Sequence, residues 1–147
     1  MTDPAAYDDF SRALADAKDL QAKGQAEDAD SLYRRALELA PNNAETLFFY
    51  GAFRREHGDP KTAAQLLNRV VSQLPDAANA WLELTRAQHD LADWPECVAA
   101  AGRTLDLDAE CLEAELMRAT ALFAQHDHEA ATDSIERVAE RLPEDAG

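Results

Sequence analysis

Apolar residues recur along this chain at three- and four-residue spacing, in short runs that come in pairs. Phe10, Leu14, Ala17 and Leu20 form one run, which stops at Lys23-Gly24. Ala29, Leu32, Tyr33, Ala36 and Leu37 form the next and stop before Pro41. This spacing gathers apolar side chains on one face of a helix. A glycine just past the first run suits the left-handed residue that closes a helix, because glycine has no Cβ to clash. The pattern then recurs. Leu47, Tyr50 and Gly51 lead to a turn at Gly58-Asp59-Pro60, where a capping aspartate precedes proline at the first helical position. Ala63, Leu67, Val70 and Val71 follow on the return helix. A third pair carries Trp81, Leu84 and Thr85, a turn at Asp93-Trp94-Pro95, then Cys97, Ala101, Thr104 and Leu105. A fourth carries Leu112, Leu116, Ala119 and Leu122, a turn around His126-Asp127-His128, then Ala131, Ile135, Val138 and Leu142. About eight helices are predicted. The first starts near Pro4, with Tyr7 extending its apolar stripe upstream.

The pairs keep a common ruler. Pro41 and Pro75 are 34 residues apart, and Pro143 falls two periods later, with Ala109 in the slot between. Gly24 and Gly58 keep the same spacing, as do the small residues Ala29, Ala63, Cys97 and Ala131. A fixed period in this range means stacked helix pairs, each burying its stripe against the next. Helices of about 14 residues are marginal alone, so the stacking supplies most of their stability. No apolar capping helix follows Leu142. The last return helix is therefore expected to face solvent on one side through small or charged residues: Ala130, Asp133, Ser134 and Arg137.

These columns carry a resemblance. Trp81-Leu82-Glu83-Leu84-Thr85 matches the W-x-x-L-G signature except for threonine in the glycine slot, which Gly51 fills in the preceding unit. Ala29, Tyr33, Ala36 and Pro41 match the second-helix pattern of small, aromatic, small and proline. Over residues 10–145 the chain resembles the tetratricopeptide repeat (TPR) family, with units at 10–43, 44–77, 78–111 and a weaker one at 112–145, in one continuous domain. Residues 1–9 extend the first helix. Asp16 and Arg118 stand where the family places a large apolar residue, and Glu115 replaces its aromatic. His126 and Ala92 occupy the turn-glycine slot. The resemblance implies an all-α, right-handed α-solenoid whose concave face is lined by the first helix of each unit.

Projecting that geometry onto the chain gives an apolar column of Leu14, Phe48, Leu82 and Leu116, with Phe49, Met117 and Phe123 beside it. Lys18, Arg55, Arg86 and His89 fall on nearby turns as cationic handles. Such a groove suits an extended or helical segment with apolar anchors and one or two carboxylates. The family's chaperone-associated members grip a C-terminal carboxylate with lysine, asparagine and arginine. The corresponding residues here are Leu14, Lys18, Phe49, Asn79 and Glu83, which argues against that clamp. The apolar floor is more similar to TPR chaperones that shield apolar segments of secreted proteins.

Charge narrows the partners. The net charge is −15, and it is uneven: −3 over residues 1–9, −1 over 10–43, 0 over 44–77, −5 over 78–111 and −6 over 112–147. Nucleic acid and anionic membrane surfaces require the opposite sign. The apolar fraction is 46%, without a run of the roughly 18 residues that span a bilayer. With no positively charged leader, a cytoplasmic protein is expected. The cysteines, Cys97 and Cys111, match no metal or redox spacing. His126, Asp127, His128 and Glu129 offer donors for a metal but no third strong ligand in reach, so no metal site and no cofactor is assigned. No nucleophile with base and orienting acid, and no phosphate-cradling glycine loop, is traceable, so no catalytic residue is assigned. The expected function is non-enzymatic binding of a protein or peptide segment. The alternatives are a chaperone-like shielding role, or self-association as a weak homodimer through the terminal helices around Tyr7, Phe10 and Ala13.

Overall fold

The computed structural model describes residues 4–144, with side chains described from Asp9 onward. Eight helices and no strands are found among the described residues. They are α1 (Pro4–Ala22), α2 (Ala26–Leu39), α3 (Ala44–Glu56), α4 (Pro60–Gln73), α5 (Ala78–Asp90), α6 (Trp94–Leu107), α7 (Leu112–Ala124) and α8 (His128–Arg141). From α2 onward the starts of equivalent helices lie 34 residues apart. Consecutive helices pair as α1–α2, α3–α4, α5–α6 and α7–α8, and each return helix packs on the first helix of the next pair. The result is an all-helical repeat solenoid. No described helix is long and apolar enough to cross a membrane.

Local chemistry explains the boundaries. Inside each pair the turn closes with an N–H bonded to a carbonyl five residues back: Gln25 to Leu20, Asp59 to Arg54, Asp93 to Gln88 and Asp127 to Leu122, at 2.9–3.0 Å. This closure needs a left-handed residue just before the donor. Gly24 and Gly58 supply it at φ 76° and 82°, whereas Ala92 and His126 adopt it at 54° and 64° despite their Cβ atoms. Between pairs, Asn43, Ala77 and Cys111 each donate to a carbonyl three residues back, at 3.1–3.2 Å. The turn at Ala109 therefore forms without proline, and the Asp108 side chain accepts from the Glu110 N–H at 3.2 Å. Asn43, Asp59 and Asp127 cap α3, α4 and α8 by accepting from Thr46, Thr62 and Ala130.

The core sits along the small-residue column. Ala29, Ala63 and Cys97 are fully covered and Ala131 nearly so. Gly51 lets α3 cross close to α4: a Cβ there would meet Leu67 Cγ at 2.9 Å. In the next unit Thr85 fills the same slot, its hydroxyl returning to the Trp81 carbonyl at 2.8 Å, with Thr104 Oγ1 3.4 Å away. Tyr33 stacks on Tyr50 of the following unit and meets Phe53 at a tilt of 44°, with ring centroids 5.4 and 5.1 Å apart. Trp81 donates from Nε1 to the Pro75 carbonyl at 2.8 Å and tethers the turn before α5.

The two ends depart from expectation. Phe10 and Ala13 are buried, so they do not form an exposed N-terminal end, and the Tyr7 side chain lies outside the described residues. At the other end Ser134 is fully buried, while Ile135 and Leu142 are more than half exposed. The solvent side of α8 is therefore apolar in part. The register of α8 is set by its buried residues Ala131, Ser134 and Val138, which leaves Ile135 to one side of the buried stripe.

Candidate functional site: the first-helix face

Phe48 and Phe49 sit on α3, half-buried, with rings 5.3 Å apart and edge to face. With Ala44, Glu45, Val70, Leu74, Ala77, Asn79 and Ala80 they line an open cleft of about 260 Å³. Leu74 at its wall is 49% exposed, so apolar surface in the cleft is open to solvent. Lys18 of α1 reaches across to this site. Its Nζ lies 3.6 Å from the Phe49 ring centroid and 3.0 Å from Glu45 Oε1. The cation is thus shared between a carboxylate and an aromatic face.

Arg55 and Arg86 converge on Glu83. Arg55 Nε lies 3.2 Å from Glu83 Oε2, with its guanidinium also 3.6 Å from Asp90. Arg86 donates to Glu83 Oε1 at 2.5 Å and to both oxygens of Glu113 at 2.6 and 2.7 Å. That two-pronged bond raises the Arg86 pKa and lowers that of Glu113. Lys18, Arg55 and Arg86, three of the four residues read as cationic handles, are thereby matched by carboxylates on the next first helix. A ligand carboxylate would have to compete with them, so the face offers apolar contact more readily than charge.

The remaining candidates are placed as follows. Leu14 is buried in the core at 4% exposure, and Leu82 is half-buried. His89 stands edge-on to Trp94, centroids 5.7 Å apart. Met117 is half-buried on α7. Leu116 and Phe123 are 50% and 62% exposed, and with Ala119, Thr120 and Ile135 they line a second cleft of about 300 Å³. The structure therefore brings together Lys18, Phe48 and Phe49, then Arg55 and Arg86, and separately Leu116 and Phe123.

Sequence reasoning missed Glu45, Glu83 and Glu113 as partners, and Leu74 and Ile135 as lining residues. A signal for the pairs exists: Lys18–Glu45 and Arg86–Glu113 are each 27 residues apart, one period less two helical turns. The His126 and His128 rings lie 6.0 Å apart, and His128 packs edge-on against Phe123 at 5.0 Å. Among the described residues no group of three His, Cys, Asp or Glu side chains is arranged to hold a metal ion. Burial, reinforced by Asp93, pushes the Cys97 thiol up to about 11.

No known family profile and no curated protein sequence matches the chain. Solved structures do match it. A crystal structure of MamA protein superposes with TM-score 0.85 at 21% identity, over 89% of this chain and 72% of that one. MamA from Desulfovibrio magneticus RS-1 gives 0.84 at 22%, over 95% and 78%. MamA MSR-1 gives 0.85 at 21%, over 94% and 79%. At this identity the likeness establishes the fold: the chain is built as the same kind of helical repeat solenoid as MamA.

Proposed function

We propose that the chain is a non-enzymatic TPR scaffold of four units, 10–43, 44–77, 78–111 and 112–145, that binds a peptide or helical segment of a partner protein along its first-helix face. The observation that carries this reading is the apolar cleft at Phe48, Phe49 and Leu74. It is open to solvent, large enough for one or two side chains, and rimmed by the Lys18–Glu45 pair. The partner segment inserts an apolar anchor there, and the polar rim sets its register. The column Leu82, Leu116 and Met117 extends the contact toward the C-terminal units.

The test is affinity capture from cells with mass spectrometry, comparing wild type with Phe48→Ala/Phe49→Ala and with Leu74→Asp. Leu74 is exposed, so its substitution leaves the helices intact, and circular dichroism checks the double variant. Loss of the same partner from both variants is expected. Retention of every partner by both would sink the groove reading.

A further inference from the structure

The charges of the first-helix face do not balance. Lys18–Glu45 links α1 to α3, Arg55–Glu83 and Arg55–Asp90 link α3 to α5, and Arg86–Glu113 links α5 to α7. Each pair skips the return helix in between, so all lie on the face where first helices meet one another. Glu56 belongs to the same face, because it accepts from Gln21 of α1 at 3.2 Å. Three cations, Lys18, Arg55 and Arg86, thus meet five carboxylates, Glu45, Glu56, Glu83, Asp90 and Glu113. Two negative charges are left over.

Helical phase sets these carboxylates among the apolar side chains. On α3, Glu45, Phe48, Phe49, Ala52 and Glu56 recur in steps of three and four, so Glu56 stands two turns beyond Phe49 on one stripe. On α5, Asp90 stands two turns beyond Glu83 in the same way. Accessibility favours the acids. The side chains of Lys18, Arg55 and Arg86 are 35, 21 and 28% exposed, against 59, 41 and 47% for Glu45, Asp90 and Glu113; Glu83 is the covered one at 12%. Glu56 is also exposed. Arg86 is spent on Glu83 and both oxygens of Glu113, whereas Asp90 stays 3.6 Å from Arg55.

We propose that the segment bound in the groove is basic: an extended stretch whose apolar anchor enters the cleft at Phe48 and Phe49, and whose lysine or arginine, about three residues along, reaches Glu56 and Asp90. This deepens the groove binding proposed above and rests on it. It reverses the carboxylate-bearing segment that Lys18, Arg55 and Arg86 predict from sequence alone, because those cations are already held by acids that outnumber them. The spacing follows from the helix: seven residues from Phe49 to Glu56 rise about 10 Å, which about three residues of extended chain span. Opposite charge then selects the partner and speeds its encounter. A second copy of this chain, at net charge −15, does not supply such a segment. Its adjacent basic pairs, Arg34-Arg35 and Arg54-Arg55, lie within α2 and α3 and are matched by Asp30, Glu38, Asp59 and Glu83.

The probes are two end-blocked peptides of about ten residues, each with a leucine anchor followed about three positions on by two lysines or by two glutamates. Binding to the full chain is read by fluorescence anisotropy at low salt. The lysine peptide is expected to bind about tenfold more tightly than the glutamate peptide, and added salt should shrink the difference. Glu56→Gln/Asp90→Asn, near-isosteric and at exposed positions, is expected to cut that preference to about threefold or less, with circular dichroism unchanged. Phe48→Ala/Phe49→Ala is expected to weaken both peptides alike. Equal binding of the two peptides, with Phe48→Ala/Phe49→Ala still weakening both, overturns the basic partner and leaves the groove binding standing. A lysine preference that survives Glu56→Gln/Asp90→Asn also overturns it, since the acidity of the whole chain would then be its source. Binding of neither peptide, or no effect of Phe48→Ala/Phe49→Ala on either, sinks the groove and the basic partner together.

Discussion

Arg137 on α8 donates from Nε to Oε1 of Glu115 on α7 at 2.7 Å, holding the last helix pair around a carboxylate that is 2% exposed. Arg118 completes the cluster with bonds of 2.7 and 3.0 Å to the two Glu115 oxygens. Leu47 and Trp81 occupy the Glu115 column in earlier units, and Tyr50 and Leu84 that of Arg118. The fourth unit thus replaces an apolar contact with a buried ion pair, satisfied from both helices.

Removing one member of that cluster should cost more than removing both. Glu115→Ala leaves Arg118 poorly compensated, and its Nε already lacks a hydrogen-bond partner among the described residues. A loss of about 3 kcal/mol is expected from urea unfolding. Glu115→Leu/Arg118→Leu restores the residue types of the interior units and should recover most of it.

Stability should fall with acid through identifiable carboxylates. Burial alone would raise the Glu115 pKa, but hydrogen bonds from Arg137 and Arg118 outweigh it and hold it below 4.5. Arg54 and Thr62 lower Asp59 to about 2 from 3.8. A group depressed in the folded state takes up its proton first in the unfolded chain. Its contribution is therefore full above the unfolded value and is lost as pH falls through the folded one. The Asp59→Ala penalty, about 1 kcal/mol near neutral pH as for other helix caps, should shrink from about pH 4 and be lost once the pH falls below about 2. Urea midpoints of wild type and variant across that range check it.

The left-handed turn residues give a test of opposite sign at equivalent positions. Ala92→Gly and His126→Gly relieve the Cβ strain that their φ values of 54° and 64° impose, and should each stabilise by about 1 kcal/mol. Gly24→Ala and Gly58→Ala introduce the same strain and should destabilise by about as much, although open space surrounds both glycines. Unfolding midpoints of the four variants decide the matter.

The two thiols should differ in reactivity. Cys97 is fully buried with its pKa at about 11, so little thiolate exists near neutral pH, whereas Cys111 is half-exposed at the start of α7. One equivalent of thiol per native chain should react quickly with a disulfide reagent. The second should appear only on unfolding.

Much of the architecture was legible because its code is local. Gly58-Asp59-Pro60 states a helix stop, a cap and a helix start within three residues, and α4 begins at Pro60 with Asp59 capping it. Ala92 and His126 were readable as left-handed from the column they share with Gly24 and Gly58. The candidate face was legible in register but not in exposure. Leu14, Phe48, Leu82 and Leu116 keep one spacing, yet they run from 4% exposed at Leu14 through two half-buried residues to 50% at Leu116. Lys18 and Arg86 were recognisable as cations on the first helices. Their partners Glu45 and Glu113 lie one helix pair further on, beyond the reach of any single-helix pattern.

By itself the sequence determined the paired helices, their turns and the 34-residue step. Caps, left-handed closures and apolar stripes act within one or two helical turns of the chain, so a column of letters states them. Tertiary structure alone decided which members of a column are covered and which charges are already matched. Tyr33 and Ile135 belong to one column, but the first lies under Tyr50 and Phe53 while the second faces solvent. Burial depends on what the next unit places against a side chain, and the last unit has no successor among the described residues.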